Sequence, residues 1–192
     1  MTAAPDTGVG LRAAERLARL GTTEIQPGLS ETELARVEQR FGFEFADDHR
    51  AFLTAGLPVW TTGHDDDPDK ASWGWPDWRT ADSDTLRAQV EWPTDCVIRH
   101  VTSGGRPAGW GKRPDTLESA VAKAQRRLAD VPRLIPVYAH RYLPAGRGTA
   151  GRPVISVHHL TDMMVYGLDL EDYLLHEFHG PQTPIPFWQD YL

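Results

Sequence analysis

PVISVHHLTDMMVYGLDLEDYLLHEF, residues 153–178, is the stretch whose reading decides the fold. Two short β-type segments, 154–157 and 163–166, flank a tight polar connection that contains Thr161 and Asp162, which is the pattern of an antiparallel hairpin. Asp169 follows at once in the position of a helix N-cap, with Asp172 at the third helical position, so strand, turn, strand and helix succeed one another without a linker. A second stretch, LSETELARVEQRFGFEFADDHRAFLTAG over 29–56, is helical. Ser30 caps it, Glu33 completes a capping box, and Leu29 with Leu34 form a hydrophobic staple. Leu34, Val37 and Phe41 make its buried stripe before Gly42 ends it. A shorter helix over 47–55 points His49, Phe52 and Leu53 inward and stops at Gly56, so the two form a tight pair. The two runs thus combine a hairpin and helices in one chain.

Working outward, a helix over 11–20 has Leu11, Ala14, Leu17 and Ala18 on one face and Gly21 at its end, and residues 1–10 are a tail. From 57 to 93 Pro, Gly, Asp and Trp break any period, which predicts long ordered loops with short strands near Val59 and Trp78. Residues 96–101 alternate as a strand. Asp115 and Glu118 then cap an amphipathic helix to Ala129 whose apolar face is Leu117, Val121, Ala124 and Leu128. A strand over 133–142 contains Pro136, which lacks a ladder donor and belongs on a sheet edge. There is no repeat and no internal linker, so residues 11–192 form one domain.

At 192 residues the chain can bury a core without disulfides or a structural metal. Its net charge of −7 opposes sequence-independent binding to nucleic acid or anionic lipid and favours a basic partner. One cysteine, Cys96, allows no internal disulfide. With no apolar run long enough for a membrane span and no leader pattern at the start, the expected location is the cytoplasm.

Each chemical motif fails its contextual test. Gly146, Gly148 and Gly151 spell the dinucleotide fingerprint, but Pro153 and a strand follow where a helix must begin, so no nucleotide cofactor is expected. Asp65, Asp67 and Asp69 begin a calcium-loop spacing that Lys70 and Pro76 end. His176 and His179 are one residue short of zincin spacing, and His158 and His159 on a strand would face opposite ways. No metal site follows. Cys96 reads as a buried, inert thiol.

What remains is binding. Trp73, Trp75 and Arg79 within WGWPDWR supply large amphipathic surface of the kind found at interface hot spots, or else indoles that plug the core. Asp65, Asp66 and Asp67 would form an acidic rim, and Thr161 with Asp162 a second polar contact.

Four stretches together resemble the SUKH superfamily, the fold of fungal Smi/Knr cell-wall regulators and many bacterial immunity proteins. They are the two quoted above, WGWPDWR, and WGKRPDTLESAVAKAQRRLADVPRLIPVYAHRYLP, and they span about half the chain. The chain departs from the usual pattern at Phe45-Ala46, where Leu-Pro is common, and at Ala55-Gly56, where Asn-Gly is frequent. The resemblance implies a single α+β domain with a central, mainly antiparallel sheet and helices packed around it, in agreement with the elements read above, and no shared catalytic residues. It also implies a non-enzymatic module that binds and occludes a bacterial toxin, with an intracellular regulatory or scaffold protein as the alternative. A competing class is a small hydrolase using His140 or His158 with Asp162.

Overall fold

The computed structural model describes residues 7–59, 74–107, 109–159 and 162–178. Six α-helices and six strands run in the order α1 (Gly8–Leu20), β1 (Glu24–Gln26), α2 (Glu31–Phe41), α3 (Asp47–Ala55), β2 (Leu57–Val59), α4 (Asp84–Thr102), α5 (Leu117–Ala129), β3 (Leu134–Tyr138), β4 (Arg141–Pro144), β5 (Val154–His159), β6 (Asp162–Gly167) and α6 (Leu170–Glu177). β1 and β2 pair in a small antiparallel sheet, and β3-β4-β5-β6 form an antiparallel meander. The α+β architecture with a mainly antiparallel sheet is therefore observed.

Local chemistry sets these elements. At the start of α2 the Ser30 hydroxyl accepts from the Glu33 amide at 3.3 Å, and Glu33 Oε2 accepts from the Ser30 amide at 2.8 Å, so two orphan helix donors are satisfied reciprocally. Gly42 ends α2 in the left-handed region at φ 67°. Asp169 caps α6 by accepting from the Asp172 amide at 2.8 Å. The partner of α3 is α1, which also packs on α6. Gly10 permits the approach, because a Cβ there would overlap the Asp48 carbonyl. The face α1 buries is Val9, Gly10, Ala13 and Leu17, with Leu11 and Ala18 exposed, a rotation of the expected stripe.

One sheet face carries the main core, in which Ile135, Val137, Leu143 and Val154 meet Leu34, Val37, Phe45, Phe52, Trp78, Leu170 and Tyr173. The other face carries Leu134, Tyr142, Ile155 and Val157 against Cys96 and Trp92 of α4. α5 packs on α4 through Val101, Ala120 and Ala124.

The expected strand over 96–101 is part of α4, and the stretch read as loops up to residue 93 contains the first half of that helix. Ser83 caps it, accepting from the Leu86 amide at 3.1 Å, and Leu86, Val90, Pro93, Val97 and Val101 recur at helical spacing. Pro93 hid it. A proline inside a helix leaves the carbonyl four residues earlier without its donor, and here the buried Tyr142 hydroxyl donates to that Gln89 carbonyl at 3.1 Å. Trp78 lies in a 3-10 helix, Trp78–Thr80, and not in a strand. α5 is capped by Thr116 and not by Asp115, and it buries Ala120 and Ala124 while Leu117 stays exposed. Residues 133–142 hold two strands, because Ala139 at φ 48° turns the chain between Tyr138 and Arg141. Pro136 lies on an edge strand, as its missing donor requires.

Candidate functional site

Asp65, Asp66, Asp67, Trp73 and Thr161 lie outside the described residues. Trp75, Arg79 and Asp162 lie within them, and they do not come together as one surface. Trp75 is 6% exposed, with its ring centroid 5.3 Å from Phe178 and 4.8 Å from Tyr138, so this indole is a core side chain. Arg79 is a local brace. Its guanidinium meets Glu33 Oε1 at 3.0 Å and donates to Gln26 Oε1 and to the Pro27 and Gly28 carbonyls, tying the Trp78 turn to the start of α2. The Glu33 carboxyl is held at about 2 by the Ser30 amide first, then by the Ser30 hydroxyl and Arg79.

Asp162 opens β6 opposite His159. A register shift between Val157 and His159 brings the His158 and His159 imidazoles together, with ring centroids 4.5 Å apart, where regular pleating would have separated them. His140 joins them at 5.2 Å from His158. Burial, then the charge of Arg141, lowers the His140 value to about 4. Among the described residues no group of three His, Cys, Asp or Glu side chains could hold a metal ion. Nor, among the described residues, does a hydroxyl or thiol bond to these rings: Ser156 Oγ accepts from Arg141 at 3.1 Å, and Cys96 is buried, which raises its thiol value.

The Gly-rich connection over 146–151 is built for contact with α3. The Gly146 amide donates to the Glu44 carbonyl, Thr149 accepts from the Asp47 amide through its carbonyl, and the Gly151 amide donates to Asp48 Oδ2 at 2.7 Å. The glycines themselves are accounted for by positive φ values of 142°, 77° and 64° at Gly146, Gly148 and Gly151, without a phosphate.

The feature not anticipated from the sequence is β6 itself. Met163, Met164 and Val165 are 39%, 55% and 60% exposed, and Leu168 just beyond is 75% exposed. Register places Met163 opposite Val157 and Val165 opposite Ile155, on the α4 side of the sheet, and Met164 opposite Ser156 on the other side. α4 packs mainly on β3 and β5, and the β6 side chains on that face stay exposed. The available clue was the run DMMVYG, in which successive apolar residues replace the alternation of a strand with one wet face.

No protein-family model matches the chain, and no curated protein or solved structure shows significant similarity to it.

Proposed function

We propose that this chain is a non-enzymatic protein-binding module of SUKH type whose role is to bind and occlude a bacterial toxin, and that β6 is its contact face. The observation that carries the reading is the cluster of exposed apolar side chains on β6 and Leu168. Contiguous apolar surface on a soluble domain marks an interaction site, and methionines suit it because they repack around a partner. The net charge of −7 favours a basic partner, as many nucleases are. The hydrolase alternative draws on His140, His158 and Asp162. It lacks support from a nucleophile, since no serine, threonine or cysteine bonds to an imidazole of that group among the described residues. A regulatory or scaffold role would use the same face with a different partner.

Co-expression tests the reading. Toxin domains encoded beside this gene are induced with and without the chain, and with a Met164→Asp variant. The expected result is that the chain restores growth and forms a complex that survives gel filtration, and that the variant does neither. No protection against any neighbouring toxin would remove the immunity role. Protection that persists only in the presence of a turnover product would return the hydrolase reading.

A further inference from the structure

The four-stranded sheet ends in two edges of opposite character. β3 carries Pro136, which has no N–H to offer, and its pairing with β4 shifts register between Pro136 and Tyr138. Proline and bulges are among the devices by which proteins stop an edge from recruiting another strand. β6 has neither Pro nor Lys; its ladder with β5 also shifts register, at Tyr166 and at His158, but is regular between them, from Ile155 opposite Val165 to Val157 opposite Met163, so proline and not a bulge is what separates the two edges. Its outer backbone groups have no strand partner among the described residues.

The side chains distinguish what could cover this edge. A helix laid on the sheet would shield one face only, either Met163 and Val165 or Met164. All three are exposed, so the apolar surface wraps both faces of one strand. A strand added alongside brings side chains to both faces at once, because successive residues point to opposite sides.

Charge selects the occupant. Asp162 begins the strand, and Asp169, Glu171 and Asp172 follow its far end, with Arg12 offsetting Glu171 at 2.6 Å. A second copy paired antiparallel would set each Asp162 beside the acidic turn of its mate, which disfavours self-pairing. The centre, Met163 to Tyr166, is uncharged. We propose, building on the binding function above, that β6 is a strand-addition site for an extended partner segment with an apolar centre and Lys or Arg at both ends.

A fluorescein-labelled decapeptide with two lysines at each end and an alternating Val-Thr centre is the probe. One control has glutamates in place of the lysines, and another has N-methylated central residues that cannot donate to a ladder. Anisotropy titrations at pH 8 use the full chain and a Val165→Lys variant. The lysine peptide should bind at least about tenfold more tightly than either control, and the variant should lose about tenfold in affinity with an unchanged Tm. Equal affinity for all three peptides, no binding, or a concentration-dependent dimer that the variant dissociates would each overturn the proposal. A toxin that is neutralised while the peptides are indifferent leaves the binding function standing and removes strand addition. Selective peptide binding with no toxin neutralised does the reverse.

Discussion

Replacing His49 by Leu should flatten the acid side of the stability profile. His49 is 1% exposed, with its ring 5.1 Å from Phe45 and 6.5 Å from Trp78. Burial alone lowers its value from 6.5 to about 3. The folded state therefore keeps the imidazole neutral while the unfolded chain protonates it near 6.5, so stability is full above that value and falls as pH drops toward 3. Between pH 7 and pH 5 the linkage relation gives a loss of about 2 kcal/mol from this one side chain, and a folded value one unit higher scarcely changes that figure. Other groups titrate too: His140, also lowered, acts in the same direction, and Asp48, raised by burial, acts in the opposite one. Both remain in the variant. Urea unfolding followed by tryptophan fluorescence at the two pH values gives the double difference, in which they cancel. The wild-type chain should lose about 2 kcal/mol more than His49→Leu on going from pH 7 to pH 5. Equal losses within about 0.5 kcal/mol would mean that His49 is not a buried neutral imidazole, and the packing of α3 against Trp78 would have to be redrawn.

Two further substitutions test the reading of the core. Ser30→Ala should cost about 1 kcal/mol in urea unfolding, because it removes the acceptor for the Glu33 amide, and a cost near zero would mean the capping box adds nothing. Trp75→Ala should cost about 3–5 kcal/mol, as for other large buried aromatics, since it empties the site against Tyr138 and Phe178. A loss of partner affinity at unchanged stability would instead make Trp75 a contact residue.

How much was legible follows from which physical rule governed each segment. The α2 start could be read because capping is local: Ser30, Glu33, Leu29 and Leu34 carry the whole pattern within six positions, and the structure repeats it bond for bond. The β5, β6 and α6 succession could be read for the same reason, with period, turn and cap in one continuous run. α4 could not, because Pro93 ordinarily ends a helix and its accommodation depends on Tyr142, which lies 53 residues from the carbonyl it satisfies. Alternation over Cys96 to Val101 then looked like a strand, although the same residues fit helical spacing once Leu86 and Val90 are included.

The candidate site divides along the same line. Tryptophan and arginine serve cores and interfaces alike, so WGWPDWR could not assign itself. Trp75 and Arg79 prove to be tied up internally by Phe178, Tyr138, Glu33 and two backbone carbonyls, partners distant in sequence. The histidines were separated by assuming regular pleating, and the register shift after Val157 brought His158 and His159 together. The β6 edge needed sheet order to be seen, because DMMVYG would be ordinary in a strand paired on both sides and covered on both faces. Set at an edge beside the strands that α4 packs on, those residues leave a strand whose centre, Met163 to Tyr166, is uncharged and free of proline, whereas the same sheet carries Pro136 on its other edge. That asymmetry within one sheet is a stronger argument for a partner at β6 than exposure alone, since isolated exposed apolar residues are common and an unprotected apolar edge is ordinarily selected against.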